Sequence, residues 1–193
     1  MSETKKEKRV KAKVDVRKDE NPIRLIGTLC VICAVCALML GVVNQLTKDR
    51  IAEAKGGKNN SAMAEVLPYS GTYVQVDYSG SDSTVNSVYK AEGTGYVVQV
   101  SPAGSFSGTL TLMVGVNSDG TVSGISIVDS KETQGLGDNA KDPEWQAQFV
   151  GKSGSVQVVD DNGEINSISG ATITSRAVCA GVNSALAAVA ELG

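Results

Sequence analysis

The chain has 193 residues, with 18 Lys and Arg against 21 Asp and Glu, a formal net charge of −3, and no histidine. That length holds one modest domain and an extension. The lack of histidine excludes Ser-His and Cys-His nucleophile pairs and imidazole metal ligands, which leaves chemistry borrowed from a cofactor as the route to function.

Charge is unevenly divided along the chain. Residues 1–24 carry nine Lys and Arg against five Asp and Glu, whereas the remainder carries nine against sixteen. A basic tail is compatible with a nucleic-acid arm, but the next segment argues for a membrane and against a nucleic-acid partner. Leu25 to Val43 has no charged residue. As a helix it reaches about 28 Å, close to the hydrocarbon thickness of a bilayer. Basic residues crowd its N-terminal flank, so the positive-inside rule places residues 1–24 in the cytoplasm as a basic tail. It makes 25–46 a single transmembrane anchor in lipid and puts the rest outside. A cleaved signal peptide is the competing reading, with Ala52-Glu53-Ala54 as a candidate site. The apolar run is too long for one, and the site lies too far beyond it.

Cys30, Cys33 and Cys36 recur every third residue within the anchor. They read either as thiolates lent to a metal shared with a neighbouring subunit, or as small apolar residues suited to close helix packing. Three ligands at this spacing on one helix splay around a single ion, which favours packing, and no metal site is expected. Cys179 stands alone in the outer portion, so no intrachain disulfide staples it.

Residues 47–86 read as a stalk and loop. A helical pattern from Gln45 to Leu67 is interrupted at Gly56-Gly57 and stopped by Pro68, and a Ser/Gly/Asp-rich surface loop occupies Tyr69 to Ser87. Residues 87–193 read as the outer domain. Val88–Val100, Leu110–Val116 and Val122–Val128 are rich in β-branched residues, the last two joined by the hairpin signal Asn117-Ser118-Asp119-Gly120. Pro143–Val150 reads as a short helix with Trp145 and Phe149, and Val156–Val159 as a further strand. Asp160-Asp161-Asn162-Gly163 lacks the spaced ligands of a calcium loop and reads as a hairpin turn. Ser175–Leu192 closes the chain as a small-residue helix suited to packing on a sheet rather than to a second membrane span. Strands joined by tight turns, with helices to one side, predict an α+β domain built on an antiparallel sheet.

Two segments carry the chemistry. In Ser169-Gly170-Ala171-Thr172-Ile173-Thr174-Ser175 a hydroxyl sits on a small-residue turn before a helix, whose first N–H groups suit a phosphate. Gly170 and Ala171 leave room for a bulky group, Thr174 or Ser175 serves as the N-cap, and Arg176 adds positive charge. An ordinary capped strand-to-helix turn has the same composition, and this segment alone does not separate the two. In the second segment, Glu132-Thr133-Gln134-Gly135-Leu136-Gly137, Gly135 and Gly137 allow a flat ring to lie against backbone. Leu136 offers apolar contact there, and Glu132 and Thr133 offer hydrogen bonds to its polar edges.

Ser169-Gly170-Ala171-Thr172 resembles the attachment motif of the family that holds flavin mononucleotide (FMN) by a phosphoester to threonine. The second segment resembles that family's Glu-Thr-Pro-Gly-Leu-Gly loop, with Gln134 at the proline position, and Asn166 stands where the attachment motif usually has aspartate. From Tyr89 to the C-terminus, and in its N-terminal anchor, the chain resembles the G subunits of Rnf-type complexes. The alternative within the same family is the FMN-carrying C subunit of the sodium-pumping NADH:quinone reductase, which is generally longer, with insertions in its outer domain. The resemblance implies covalent FMN on Thr172, placed there by a flavin transferase outside the cytoplasmic membrane. It also implies partner subunits in a complex coupling electron flow between ferredoxin and NAD to ion transport. In such a translocase the chain is a redox subunit with no catalytic site of its own. Two other classes compete: a cofactor-free binding or assembly module, and a free-standing flavin reductase, whose flavin domain is normally fused to a catalytic domain not expected here.

Overall fold

The computed structural model describes residues 22–192. The basic tail up to Asn21 lies outside the described residues. The chain divides into two compact units, Met1–Ala54 and Lys55–Gly193.

In the first unit, the segment Ile26–Lys48 of helix α1 (Pro22–Val66) is 23 residues long, wholly unburied, and apolar enough to cross a membrane. Its Leu, Ile and Val side chains are exposed all around the helix, as expected for a surface that meets lipid rather than protein. Cys30, Cys33 and Cys36 are free and exposed on it. Among the described residues no cluster of His, Cys, Asp or Glu is arranged to hold a metal. The helix does not break at Gly56-Gly57 as expected. Each glycine costs a helix only about 1 kcal/mol relative to alanine, a penalty that flanking turns absorb.

The second unit is built on a five-stranded antiparallel sheet in the order β1 (Val74–Val76), β2 (Val85–Ala91), β3 (Gly95–Val100), β4 (Leu110–Asn117) and β5 (Val122–Ser130). The Asn117–Gly120 turn joins β4 and β5 as expected, with Asp119 accepting from the N–H and hydroxyl of Thr121. The run Val88–Val100 is two strands rather than one. Glu92-Gly93-Thr94 folds it into a hairpin, with Gly93 at a φ of 77° that a β-branched residue does not adopt.

Both faces of the sheet are covered, which explains why β3 and β4 are nearly continuous apolar runs instead of alternating ones. On one face Val88, Val98, Val100, Leu112, Val114 and Val116 pack with Ala177, Val178, Val182, Ala185 and Ala188 of the closing helix, Thr172–Leu192. Small residues on this helix let it lie close to the strands, and it is a core helix rather than a second membrane span. On the other face Ala62, Met63, Val66 and Leu67, at the end of α1, pack with Ala91, Val97 and Met113. Gly115 makes that approach possible, because a Cβ there would stand 2.3 Å from the carbonyl oxygen of Val66. The same oxygen accepts from the hydroxyl of Ser123 at 2.5 Å. The last turns of the expected stalk thus belong to the domain's core.

The short helix expected at Pro143–Val150 is present as α2 (Pro143–Gln146), capped by Asp142 and continued by a 3-10 turn at Ala147–Phe149. The closing helix, Thr172–Leu192, is α3. The strand expected at Val156–Val159 does not form. Val156 and Val158 are buried and alternate with exposed neighbours, but no strand lies alongside. A single bridge joins Val158 to Ile165, and Asn183 of α3 satisfies both backbone groups of Val156. In place of the hairpin turn expected at Asp160–Gly163 stands a 3-10 turn, Val159–Asp161, capped at Asn162 with φ 62°.

Candidate functional site

The sheet delivers the two chemistry-bearing segments to one place. β5 runs out at Ser130 into the loop Lys131–Leu136, and α3 begins at Thr172 beside it. Between them lies a cleft of about 350 Å³. Glu132, Thr133, Leu136 and Gly137 line one side, Gly170 to Thr174 the other, and Phe106, from the turn before β4, completes it.

The floor of the cleft is a buried carboxylate. Glu132 is only 6% exposed. One of its oxygens accepts from the Thr174 hydroxyl at 2.7 Å. The other accepts from the Ser107 backbone N–H at 3.1 Å and the Ser107 hydroxyl at 2.8 Å. Burial alone raises the pKa of Glu132, but these donors outweigh it and hold the carboxyl below its ordinary value, so it is ionised at neutral pH. Through this carboxylate three separate pieces of chain are tied together: the turn before β4, the loop after β5, and the first turn of α3.

Gly137 is packed against the same group. A Cβ there would stand 2.7 Å from both the Glu132 carboxylate and the Thr174 hydroxyl. The space beside Gly137, expected to accept a flat ring, is therefore filled by protein. Gly135, at φ 75°, has open space around it but does not line the cleft; it serves the turn, in which the Leu136 N–H donates to the Thr133 carbonyl.

The segment Ser169–Ser175 is fixed from below. Trp145 donates through Nε1 to the Asn166 carbonyl at 2.7 Å, and the Gln148 side-chain oxygen accepts from both the backbone and the amide N–H of Asn166. Ile168 and Ala171 close a turn in which Gly170 takes φ 73°. Helix α3 starts at Thr172, earlier than expected, so Thr174 and Ser175 lie within its first turn and neither is the N-cap. Ser175 is buried, accepting from the Ile168 N–H at 2.9 Å and donating to the Ala171 carbonyl at 3.1 Å.

These bonds separate the four hydroxyls of the motif. Those of Thr174 and Ser175 are buried and engaged. Ser169 is exposed but does not line the cleft. Thr172 is half-buried at the cleft wall, and its hydroxyl has no hydrogen-bond partner among the described residues. The N–H groups of Thr172, Ile173 and Thr174 begin the helix and have no intrahelical acceptor. An unengaged hydroxyl beside three unpaired N–H groups fits a phosphoester, and the apolar walls fit a planar ring.

Arg176 does not supply the expected positive charge. Its guanidinium is paired bidentately with Asp161 at 2.6 and 2.7 Å, outside the cleft lining. That pairing raises the pKa of the arginine and lowers that of the aspartate. Cys179 is buried on α3, and burial pushes its thiol up to about 11, a packing cysteine rather than a reactive one.

Sequence reasoning missed Phe106 and Ile173 as cleft residues. The available signal was a lone aromatic within the Gly- and Ser-rich stretch Gly104-Ser105-Phe106-Ser107-Gly108, where no core demands it.

Comparison with known proteins converges on the same regions. Residues 105–187 match the FMN-binding domain and residues 27–66 the RnfG N-terminal region. The G subunit of the Na(+)-translocating ferredoxin:NAD(+) oxidoreductase complex of Acetobacterium woodii is 32% identical, covering 80% of this chain and 85% of that protein. The G subunit of the ion-translocating oxidoreductase complex of Methanosarcina acetivorans is 32% identical, over 84% and 92%. Its counterpart in Pseudomonas aeruginosa is 34% identical, over 77% and 79%.

Proposed function

This chain belongs to the family of G subunits of ion-translocating oxidoreductase complexes, and we propose that it carries FMN as a phosphoester on Thr172 and uses it as an electron relay. It is a membrane redox subunit with an FMN-binding domain. The observation that carries the covalent reading is the unengaged hydroxyl of Thr172, on the cleft wall at the start of α3.

Bound FMN would supply reversible uptake and release of electrons. The chain's residues hold and orient the group. Thr172 provides the ester oxygen, and the first N–H groups of α3 offset the phosphodiester's remaining negative charge. Gly170 keeps the approach to the hydroxyl open. Thr133 and Leu136 stand at the rim, and Glu132 braces the cleft floor. Ser169 and Ala171 shape the turn that a flavin transferase must reach.

The complex couples electron transfer between ferredoxin and NAD to ion transport, and in it the chain passes electrons between neighbouring cofactors. The basic tail lies in the cytoplasm, Ile26–Lys48 crosses the membrane, and the flavin domain faces outward, where the transferase acts. A covalent tether suits this place, because an exposed relay is not emptied by dissociation.

Mass spectrometry of the peptide from Asn166 to Arg176 tests the reading. In protein made alongside an active flavin transferase, the peptide should gain the mass of FMN less water, localised to Thr172. Thr172→Ala should abolish flavin that survives denaturation, and Thr174→Ala should retain it. An unmodified peptide under those conditions would overturn the covalent reading and reopen the cofactor-free assembly module as an alternative.

A further inference from the structure

We propose that Phe106 is the ring-contacting residue of this site and that the turn carrying it is a built platform for the planar face of the cofactor. The inference rests on the covalent reading above and goes beyond it by assigning a residue outside both motifs. Phe106 is 70% exposed, whereas the other phenylalanine of the chain, Phe149, is fully buried. Around the same cleft stand Leu136, 43% exposed, and Ile173, 51% exposed. Three large apolar side chains left open at one small site signal an occupant that covers them. Thr172 lies on the same cleft, and a flavin esterified to it brings a conjugated ring to that place.

The turn is held rather than loose. Ser107, the next residue, donates both its N–H and its hydroxyl to Glu132, and the Gly108 N–H donates to the Ser105 carbonyl. The carboxylate that fixes the Phe106 turn also fixes Thr174 in the first turn of α3. Phe106 and Thr172 are thus positioned from one anchor, as a platform and its tether require. An aromatic face stacks on a conjugated ring in an offset or edge-on arrangement, which supplies contact and orientation without any polar group.

The test uses the full chain, flavinylated on Thr172 and purified in detergent. Phe106→Trp places an electron-rich indole, a strong quencher of flavin emission, at the platform and should lower bound-flavin fluorescence several-fold. Val74→Trp, on the edge strand β1 at the opposite side of the sheet, should leave it unchanged. Phe106→Ala, a truncation of an exposed side chain that leaves the core intact, should raise the accessibility of the flavin to iodide quenching. A flavinylated Phe106→Trp protein with unaltered emission, or equal quenching from Val74→Trp, would overturn the inference while leaving covalent attachment standing. So would unchanged iodide accessibility in Phe106→Ala. Absence of the flavin mass on the unsubstituted chain would overturn the attachment reading and the platform with it.

Discussion

Two glycines, Gly115 and Gly137, both let pieces of this domain approach more closely than any side chain permits, and they do so for opposite ends. Gly115 lies on the sheet face covered by the last turns of α1, where the carbonyl of Val66 and the hydroxyl of Ser123 press against it within an otherwise apolar layer. That face is closed, and the Val66 oxygen is met by the Ser123 hydroxyl. Gly137 lies at the cleft, where its neighbours are a carboxylate and a hydroxyl, and large apolar side chains stand open nearby. One close approach completes a core. The other builds a polar floor beneath an open space, whose apolar walls are left uncovered.

If that contrast is right, the two glycines fail differently. Gly115→Val drives a branched side chain into backbone that has no rotamer to yield, so the largest loss of stability is expected here, about 3 kcal/mol or more. Denaturant titration of the full chain, followed by the fluorescence of its single tryptophan, Trp145, measures it. An unchanged midpoint would mean the end of α1 does not pack as described. Gly137→Ala meets a side-chain carboxylate and hydroxyl instead, which shift at a smaller cost of about 1–2 kcal/mol. Its distinctive mark is functional: the fraction of chains carrying flavin on Thr172 should fall, which Gly115→Val does not predict for its folded fraction.

Legibility in the sequence divides along the same line. The β4–β5 hairpin is readable because Asn117–Gly120 sets its turn locally, and α3 because its small-residue pattern needs only one neighbour. The family motifs locate Glu132 and Thr172 without any geometry. Elements whose outcome depends on distant chain are not readable. Val156–Val159 alternates like a strand, but strands require a partner, and Asn183 takes the backbone groups of Val156 instead. The split of Val88–Val100 rests on Gly93, a weak signal inside a long apolar run. Arg176 looks free for a phosphate because nothing in the sequence shows that Asp161 folds back onto it.

The buried carboxylate sharpens the comparison through pH. Burial pulls the pKa of Glu132 upward from an ordinary 4.5, and donors from Thr174 and Ser107 outweigh it, so the folded value is lowered. A depressed folded pKa contributes stability that is present above 4.5 and is lost as pH falls through the folded value. Stability should therefore decline on acidification below about pH 4.5. Thr174→Val removes one donor and should cost about 2 kcal/mol at neutral pH. It should also flatten that acid dependence, since the folded pKa moves back toward its unfolded value. Unfolding midpoints at about pH 7, 4.5 and 3.5 for both proteins decide it, and an equally steep acid decline in the variant would remove Thr174 from the account.

The smallest effect is expected outside both regions. Arg176 sits four residues beyond Thr172 on the same helix, near enough in sequence to suggest a phosphate partner. Its guanidinium is instead held by both oxygens of Asp161 on a face that does not line the cleft. An exposed ion pair of this kind is screened by solvent and contributes little to stability. Arg176→Gln should therefore change the unfolding midpoint marginally and leave the flavinylated fraction of the Thr172 peptide as it is in the unsubstituted chain. The N–H groups of Thr172, Ile173 and Thr174 belong to the backbone and remain in place in that variant. If flavinylation instead collapses in Arg176→Gln while the fold persists, then the arginine leaves Asp161 to meet the phosphate, and the helix start alone does not hold the charge.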